Sequence, residues 1–238
     1  MTTYRANGGE IRSDKSYRDY LAREWELFEA DKSRRTTALQ ITEGMEVSRV
    51  LDLGCGAGQE LLPFVENGAN GVGIDTHQEA GQVGREMFCG AGLSDKVDFV
   101  CASGASIPFK DGCFDIVICR VAIMYMDNRS AFGEIARVMQ RPGKFLLKYH
   151  APAFYWAKLA DGLTKGDFRS SIHAARVLFA GYFYYLTGRQ LFNPLTAGGE
   201  IFQTRRTLIR EISGFGLKIE AELPDTNRQT PSLILARH

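Results

Sequence analysis

The chain has 238 residues, of which 45% are hydrophobic, and this size fits one globular catalytic domain with a modest insertion. Lys and Arg total 29 against 28 Asp and Glu, so the formal net charge of +1 creates no bulk field that would attract nucleic acid. The balanced charge therefore favours a small-molecule partner and argues against nucleic acid as a partner.

The five cysteines and the hydropathy bear on the compartment. The cysteines lack a Cys-x-x-Cys pair and mostly lie in apolar runs, where a reduced thiol packs as a small hydrophobe. The N-terminus shows no basic-then-apolar signal pattern, and no apolar run approaches the roughly 18 residues of a membrane-spanning helix. We therefore expect a soluble, cytoplasmic protein with no stable membrane insertion. The sequence does not predict an oligomeric state.

Residues 1–45 are predicted to form an N-terminal helical cap, because large apolar side chains recur among many charges between positions 17 and 42. From residue 49 short apolar runs alternate with longer helical segments. The predicted strands lie at 49–53, 71–75, 97–101, 114–119 and 144–149, and the predicted helices at 58–67, 78–91 and 128–140. This alternation predicts βαβ units and a parallel sheet.

The pattern changes at residue 151. Residues 151–200 carry a dense load of Phe, Tyr and Trp at helical spacing, which predicts a helical insertion after the fifth strand. A helix at 202–213 and strands at 217–223 and 232–237 follow, and the last two strands suggest an antiparallel hairpin. The predicted fold is α/β: a seven-stranded, mostly parallel sheet whose core comprises residues 46–150 and 201–238.

The first strand runs directly into a glycine-rich turn, Asp52-Leu53-Gly54-Cys55-Gly56-Ala57-Gly58. Glycines at the carboxyl end of a buried strand let the backbone approach a ligand closely. The spacing is Gly-x-Gly-x-Gly rather than the Gly-x-Gly-x-x-Gly typical of dinucleotide sites, and no P-loop lysine follows. An NAD-dependent oxidoreductase remains the alternative enzyme, and an ordinary tight turn is the purely structural alternative.

The second strand ends on Asp75, which the topology should return to the same sheet edge beside the glycine turn. A carboxylate there can accept hydrogen bonds from both hydroxyls of a ribose. The structural alternative is a helix N-cap for the segment beginning near residue 78, a role that Thr76 could also fill.

Together these residues resemble the class I S-adenosylmethionine-dependent methyltransferases, whose fold is Rossmann-like, and in particular the small-molecule type that includes ubiquinone and menaquinone biosynthesis enzymes. The resemblance covers about residues 45–149 and, more weakly, 202–238. It implies that the segment 50–58 holds the methionine portion of the cofactor, S-adenosyl-L-methionine, and that Asp75 binds its ribose. The implied cofactor-binding residues are Asp52, Gly54, Cys55, Gly56, Gly58, Asp75, Thr76, Ser103, Gly104 and Arg120.

Two departures from the family pattern affect this site. The segment 97–109 is similar to the one that flanks the adenine, but Ser103 stands where the family usually has Asp, so the adenine contact should be weaker. Arg120 ends the strand that lies beside the methionine carboxylate in the family. Residues 124–127 replace a pair of histidines that many relatives have, which puts a histidine base at that position in doubt.

A general base is optional for methyl transfer, because alignment supplies much of the rate. The candidate bases near strand ends are His150, Tyr149 and Tyr125, each of which could equally have only a structural role. His77, His173 and His238 show no metal-ligand spacing with the cysteines or with one another, so we expect no metal site.

The aromatic insertion allows three interpretations. It could form a lid that selects a hydrophobic or aromatic acceptor, it could pack its rings on the sheet edge, or it could touch a membrane surface peripherally through Arg169, Arg176 and Arg189. A noncatalytic cofactor- or lipid-binding module also remains open. The sequence predicts neither the acceptor nor the methylated atom.

Overall fold

The computed structural model describes residues 14–42 and 44–237, with side chains from residue 17 onward. Seven strands form one sheet in the order β3-β2-β1-β4-β5-β7-β6, in which β6 and β7 are antiparallel to their neighbours and the remaining pairs are parallel. The strands are β1 Arg49–Leu53, β2 Asn70–Asp75, β3 Val97–Cys101, β4 Phe114–Arg120, β5 Met139–Lys148, β6 Leu217–Glu222 and β7 Ser232–Arg237. This topology confirms the predicted α/β fold with its C-terminal hairpin.

Helices cover both faces of the sheet and extend over one edge. They are α1 Asp14–Ala30, α2 Lys32–Gln40, α3 Leu62–Glu66, α4 Gln78–Gly90, α5 Asn128–Val138, α6 Pro152–Lys165, α7 Phe168–Thr187 and α8 Arg205–Ile212. None of the helices in the described ranges is long and apolar enough to cross a membrane. Residues 1–13 of the predicted N-terminal cap, as well as residues 43 and 238, lie outside those ranges.

The central strands are apolar on both sides because both faces of the sheet are buried. Within β4, Ile116 and Ile118 pack into the cluster beneath α1, α3 and α4, whereas Val117 and Cys119 pack into the cluster beneath α5 and α8. Successive side chains of a strand point to opposite faces, so a doubly covered strand is apolar at most positions. The buried exceptions in β1 and β4 are Asp52 and Asp115. The near-continuous hydrophobic runs of the sequence have this cause.

The fifth strand begins earlier than predicted. A helix through residue 140 and a strand from 144 were expected, but α5 ends at Val138 and β5 begins at Met139. Met139 is buried and pairs with Phe114, and the register then shifts so that Ile116 pairs with Lys144. Burial of Met139 in the sheet core outweighs the local helical pattern, and the shift accommodates the intervening Arg-Pro-Gly segment.

The insertion contains α6 and α7, which pack against each other and against the chain that follows them. Tyr155, Val177, Leu178 and Phe202 form a small apolar cluster separate from the two clusters of the sheet. Gly166 and Gly188 end the two helices in left-handed conformations. The next helix starts at Arg205 rather than near 202, because Thr204 and Thr207 form a capping box there.

Candidate active site

A cavity of about 740 Å³ opens at the carboxyl ends of the parallel strands. Its walls come from the segments that follow β1, β2, β3 and β4, from the end of β5, and from α1 and α2, which lie above the sheet edge. Ligands of open α/β sheets bind at this edge, and the volume lies in the range of about 300–1,000 Å³ typical of small-molecule sites.

The glycine-rich turn forms the floor of the cavity. The N–H groups of Gly54 and Cys55 both donate to the carbonyl oxygen of Ile74, at 2.8 and 3.0 Å, and this ties the turn to β2. Gly54 has a φ of +73°, and a β-carbon there would lie 2.4 Å from Cβ of Ala122. Only glycine allows this close approach of the turn to the segment after β4.

Asp75 faces the same turn from the end of β2. Its Oδ2 accepts from the Gly56 N–H at 3.1 Å, and its Oδ1 accepts from the His77 N–H at 2.9 Å. The N-cap of α4 is His77, and no side chain provides a cap there, so neither Asp75 nor Thr76 fills that role. Asp75 and Thr76 both line the cavity. The carboxylate therefore holds the glycine turn in place and lies where a ligand can reach it.

The segment after β3 contributes the opposite wall. Ser103 and Gly104 both line the cavity, and the Ser103 hydroxyl accepts from the Ala105 N–H at 3.2 Å. A β-carbon on Gly104 would lie 2.7 Å from Sδ of Met126. The backbone here is close to the segment after β4, and the serine supplies a polar but uncharged atom.

A network of five charged side chains lines the end of the cavity near β4 and β5. Arg34 donates to the Glu60 carboxylate, which also lies 3.2 Å from Nε of Arg120. Asp225 joins the network from the loop between β6 and β7, where its Oδ2 accepts from Arg120 at 2.8 Å and from Lys148 at 2.6 Å. The network links α2, the segment that follows the glycine-rich turn, and the C-terminal hairpin across the cavity.

Burial sets the protonation behaviour of these groups. Burial raises the pKa of Asp52 well above its ordinary value, and the nearby carboxylates of Glu60 and Asp75 raise it further. Burial alone would raise the pKa of Asp225, but its hydrogen bond from Lys148 and the charge of Arg120 outweigh that effect and lower it. Burial lowers the pKa of Lys148. Asp225 is therefore held in its charged form.

The predicted catalytic residues separate into two groups. Tyr125 lines the cavity, whereas His150 and Tyr149 are outside its lining and are buried. Gly58 is also outside the main lining, and a β-carbon on it would meet the Phe99 ring at 2.8 Å, so its role is in packing against β3. The structure thus brings Tyr125 together with the predicted cofactor-binding residues other than Gly58.

His150 lies in a buried polar cluster beneath the insertion. Its ring stacks on Phe154 with 3.6 Å between centroids, and its Nδ1 is 3.4 Å from the Tyr155 hydroxyl. That hydroxyl donates to Glu200 at 2.8 Å, and the other Glu200 oxygen lies 3.2 Å from Nε2 of His173. These contacts join the segment after β5, α6, α7 and the end of the insertion.

We expect acid to destabilise the protein through His150. Burial lowers the pKa of His150 to about 4, against an ordinary value near 6.5, so between these pH values the unfolded chain binds more protons than the native one. The free energy of unfolding should fall by about 3 kcal/mol from pH 6.5 to 4 through this group, while above pH 6.5 it contributes no pH dependence. Urea unfolding at pH 7 and pH 4.5 would measure the loss.

The control for this experiment is His77→Gln, because His77 is partly exposed and hydrogen-bonded to Asp75. His150→Gln should flatten the dependence below pH 6.5, and His77→Gln should retain the loss. Equal slopes in His150→Gln and the unsubstituted protein would show that other groups cause the acid sensitivity.

The sequence analysis did not predict several of the residues that line the cavity. They are Tyr17, Tyr20, Arg34, Glu60, Lys148, Phe192 and Asp225. Lys148 could have been found, because it ends the fifth strand at the same sheet edge as Asp75. Asp225 could also have been found, since an antiparallel β7 places the loop before it at that edge. Among the residues that the structure describes, no group of three or more His, Cys, Asp or Glu side chains could hold a metal ion. His238 lies outside them.

Comparison with known proteins agrees with this geometry. Residues 51–147 match the family model described as a methyltransferase domain. A sterol 4-C-methyltransferase of Caenorhabditis elegans, strm-1, is 28% identical over 61% of this chain and 48% of its own length. YcgJ of Bacillus subtilis, an uncharacterized methyltransferase, is 38% identical over 43% of this chain and 40% of its own length. The chain spans less than half the length of these curated relatives.

Solved structures show the same fold. The crystal structure of Bacillus subtilis YcgJ aligns with 87% of this chain and 96% of its own, at 19% identity and a TM-score of 0.59. A S-adenosylmethionine-dependent methyltransferase of Aquifex aeolicus aligns with 93% of this chain and 98% of its own, at 12% identity and the same TM-score. The [4+2]-cyclase SpnF, at 17% identity over 86% of this chain and 80% of its own, has a TM-score of 0.60.

The fold is that of the class I S-adenosylmethionine-dependent methyltransferases, as the sequence predicted. Residues 51–147 match the methyltransferase domain family, and S-adenosylmethionine is the cofactor that this match implies. An NAD-dependent oxidoreductase is not favoured by these findings.

The residues around the cavity fit this cofactor. Buried polar atoms without a protein partner include Oδ2 of Asp52, Oε2 of Glu60, Nη1 of Arg120 and Oδ1 of Asp225. The methionine portion carries an ammonium group and a carboxylate, which complement such acceptors and donors, and the glycine turn leaves room beside them.

Proposed function

We propose that this protein transfers a methyl group from S-adenosylmethionine to a small acceptor with a hydrophobic or aromatic body. The observation that carries the proposal is a single cavity with two kinds of wall. The glycine turn, Asp75 and the charged network lie on one side, while Tyr20, Leu21, Met126 and Phe192 add apolar surface. Two relatives, the sterol 4-C-methyltransferase of Caenorhabditis elegans and a demethylmenaquinone methyltransferase of Clavibacter sepedonicus, are named for acceptors with such bodies.

In this proposal the residues around the cavity act mainly by positioning the cofactor and the acceptor. When bound, S-adenosylmethionine supplies a methyl group on a positively charged sulfur. Gly54 and Gly56 allow its methionine portion to approach the backbone, and Asp75 accepts from the ribose hydroxyls. Helices α1 and α2 close the cavity from above and exclude water. Alignment of this kind is worth roughly 7–11 kcal/mol in well-oriented reactions.

We propose that Tyr125 orients the acceptor and does not act as a general base. It lines the cavity, but burial, with a further contribution from Glu200, raises its pKa well above the ordinary value. A phenol held neutral can donate a hydrogen bond and is a poor proton acceptor. His150 and Tyr149 then have structural roles, and the acceptor must be nucleophilic with little help from a base.

Two measurements test the function. Titration calorimetry should show binding of S-adenosylhomocysteine and no comparable binding of NAD. Incubation with methyl-labelled cofactor and a lipid-soluble metabolite extract should then move the label into the organic phase. Tight S-adenosylhomocysteine binding with no transfer to any extract would instead support a noncatalytic cofactor-binding module.

Phe192→Ala is expected to alter acceptor selection alone. Phe192 is the one residue of the insertion in the described cavity lining, and it is more than half exposed, so its truncation should cost little stability. We expect a higher Michaelis constant for the acceptor and an unchanged affinity for S-adenosylhomocysteine. Initial-rate kinetics would measure the Michaelis constant, and titration with S-adenosylhomocysteine would measure the affinity.

The matched control is Tyr185→Ala. Tyr185 lies outside the cavity lining, and its hydroxyl accepts from Arg206 at 3.2 Å. This variant should keep the acceptor's Michaelis constant. If Tyr185→Ala raised that constant as much as Phe192→Ala, the cavity wall formed by Phe192 would not select the acceptor.

We further propose the division of the chain into a cap at 1–45, a cofactor-binding core at 46–150 and 201–238, and an insertion at 151–200 that contributes to acceptor selection. A cytoplasmic location is also proposed, because all five cysteines are free and two of them are buried.

A further inference from the structure

The outer surface of the insertion is apolar. Nine of the eleven large hydrophobic side chains that are exposed in the described residues belong to residues 151–200. Eight of these nine form what we call the apolar insertion face: Trp156, Leu163, Phe168, Ile172, Phe179, Tyr182, Leu186 and Leu195. The ninth, Phe192, lines the cavity. A group of exposed large hydrophobic side chains on an isolated chain marks an interaction site.

The face is continuous across two helices. On α7 the exposed positions from Ile172 to Leu186 recur every three or four residues, which places them on one side of the helix, and all of them are apolar. On α6, Trp156 and Leu163 share one side at a spacing of seven. The indole N–H of Trp156 donates to the Tyr182 hydroxyl at 3.2 Å, so the two sides adjoin.

Basic side chains accompany this face. Residues 151–200 contain five basic residues, Lys158, Lys165, Arg169, Arg176 and Arg189, and three acidic ones, Asp161, Asp167 and Glu200. The insertion therefore has a net charge of +2, while the remaining 24 basic and 25 acidic residues give the rest of the chain −1. The net positive charge of the protein thus lies in the segment that carries its most apolar surface.

We propose that the apolar insertion face binds peripherally to an anionic lipid bilayer. Exposed aromatic and aliphatic side chains can enter the boundary between headgroups and acyl chains, while basic side chains contact anionic headgroups. A second copy of the chain suits this face less well, because a two-fold interface would oppose the positive patch to itself. Docking does not require methyl transfer, so the inference is independent of the proposed function.

Vesicle flotation with the full-length protein tests the inference. The protein should float with vesicles of equimolar phosphatidylcholine and phosphatidylglycerol, should not float with phosphatidylcholine alone, and should be released by high salt. The double variant Phe179→Glu/Leu186→Glu should reduce binding at least about tenfold, because it places carboxylates in the headgroup region. Both residues are exposed, and S-adenosylhomocysteine affinity, which should be unchanged, reports folding.

Matched controls separate this face from general stickiness. Leu27→Glu replaces a half-exposed leucine on α1, outside the apolar insertion face, and should bind vesicles normally. Arg189→Gln should weaken binding about fivefold, corresponding to about 1 kcal/mol per basic residue near an anionic surface, whereas Lys218→Gln on β6 should not.

Three results would overturn the inference: no flotation of the unsubstituted protein with anionic vesicles, equal flotation of Phe179→Glu/Leu186→Glu, or equal loss in Leu27→Glu. A fourth contrary result could come from analytical sedimentation without lipid, which measures the oligomeric state. If the protein were a dimer that this double variant converts to a monomer, and did not float, the face would be an interface between copies.

Discussion

Gly56→Val is expected to abolish cofactor binding while leaving a folded protein. Gly56 has a φ of +53°, its N–H donates to Asp75, and a β-carbon there would lie 3.2 Å from Cδ2 of Leu21 on α1. A valine would fill the gap between the glycine turn and α1 and would disfavour the left-handed backbone. We expect S-adenosylhomocysteine affinity to fall more than about a hundredfold, equivalent to about 2.7 kcal/mol.

The control for backbone strain is Gly92→Val. Gly92 also has a positive φ, +72°, but a β-carbon added there would have nothing within 4 Å, and the residue is outside the cavity. Both variants should melt at lower temperature, and only Gly56→Val should lose the ligand. Normal S-adenosylhomocysteine affinity in folded Gly56→Val would remove the glycine turn from the cofactor site.

Asp75→Ala is expected to lower S-adenosylhomocysteine affinity by about ten- to a hundredfold. Hydrogen bonds to a charged acceptor contribute about 1.5–3 kcal/mol, and this substitution removes the acceptor for the ribose together with the one that holds the Gly56 N–H. Asp75→Asn keeps one acceptor oxygen, so its affinity for S-adenosylhomocysteine should lie between those of Asp75→Ala and the unsubstituted protein. Titration calorimetry would measure all three affinities.

Asp98→Ala is the matched control, because Asp98 is an exposed aspartate on the neighbouring strand β3 and does not line the cavity. It should bind the ligand normally. If Asp75→Ala also bound normally, the Asp75 carboxylate would serve only to buttress the turn through Gly56 and His77.

Local patterns predicted the features that depend on a few adjacent residues. Short apolar runs indicated the strands because a doubly buried strand is apolar at most of its positions. Gly54 to Gly58 indicated the cofactor edge because glycine permits a close approach of the backbone there. Element boundaries were less accurate where tertiary packing competed, as at Met139, whose burial against β4 begins the fifth strand early.

The roles of individual polar residues were harder to predict. His150 directly follows the predicted fifth strand, at the edge where the cavity lies, yet its ring is part of a buried cluster with Tyr155 and is outside the cavity lining. Arg34 and Asp225 carry no motif, and they reach the cavity only because α2 and the loop before β7 fold over the same edge. Similarly, the helical periodicity of the insertion does not predict which side of each helix faces solvent.

The sequence by itself determined the α/β fold and the position of the glycine turn, because hydrophobic periodicity and backbone freedom are properties of consecutive residues. Only the tertiary structure decided that Glu60, Arg120, Lys148 and Asp225 form one charged network, and that half of the aromatic side chains of the insertion are exposed. Both outcomes depend on contacts between segments far apart in the chain. Their energies come from burial and from charges brought together by folding, which no local pattern encodes.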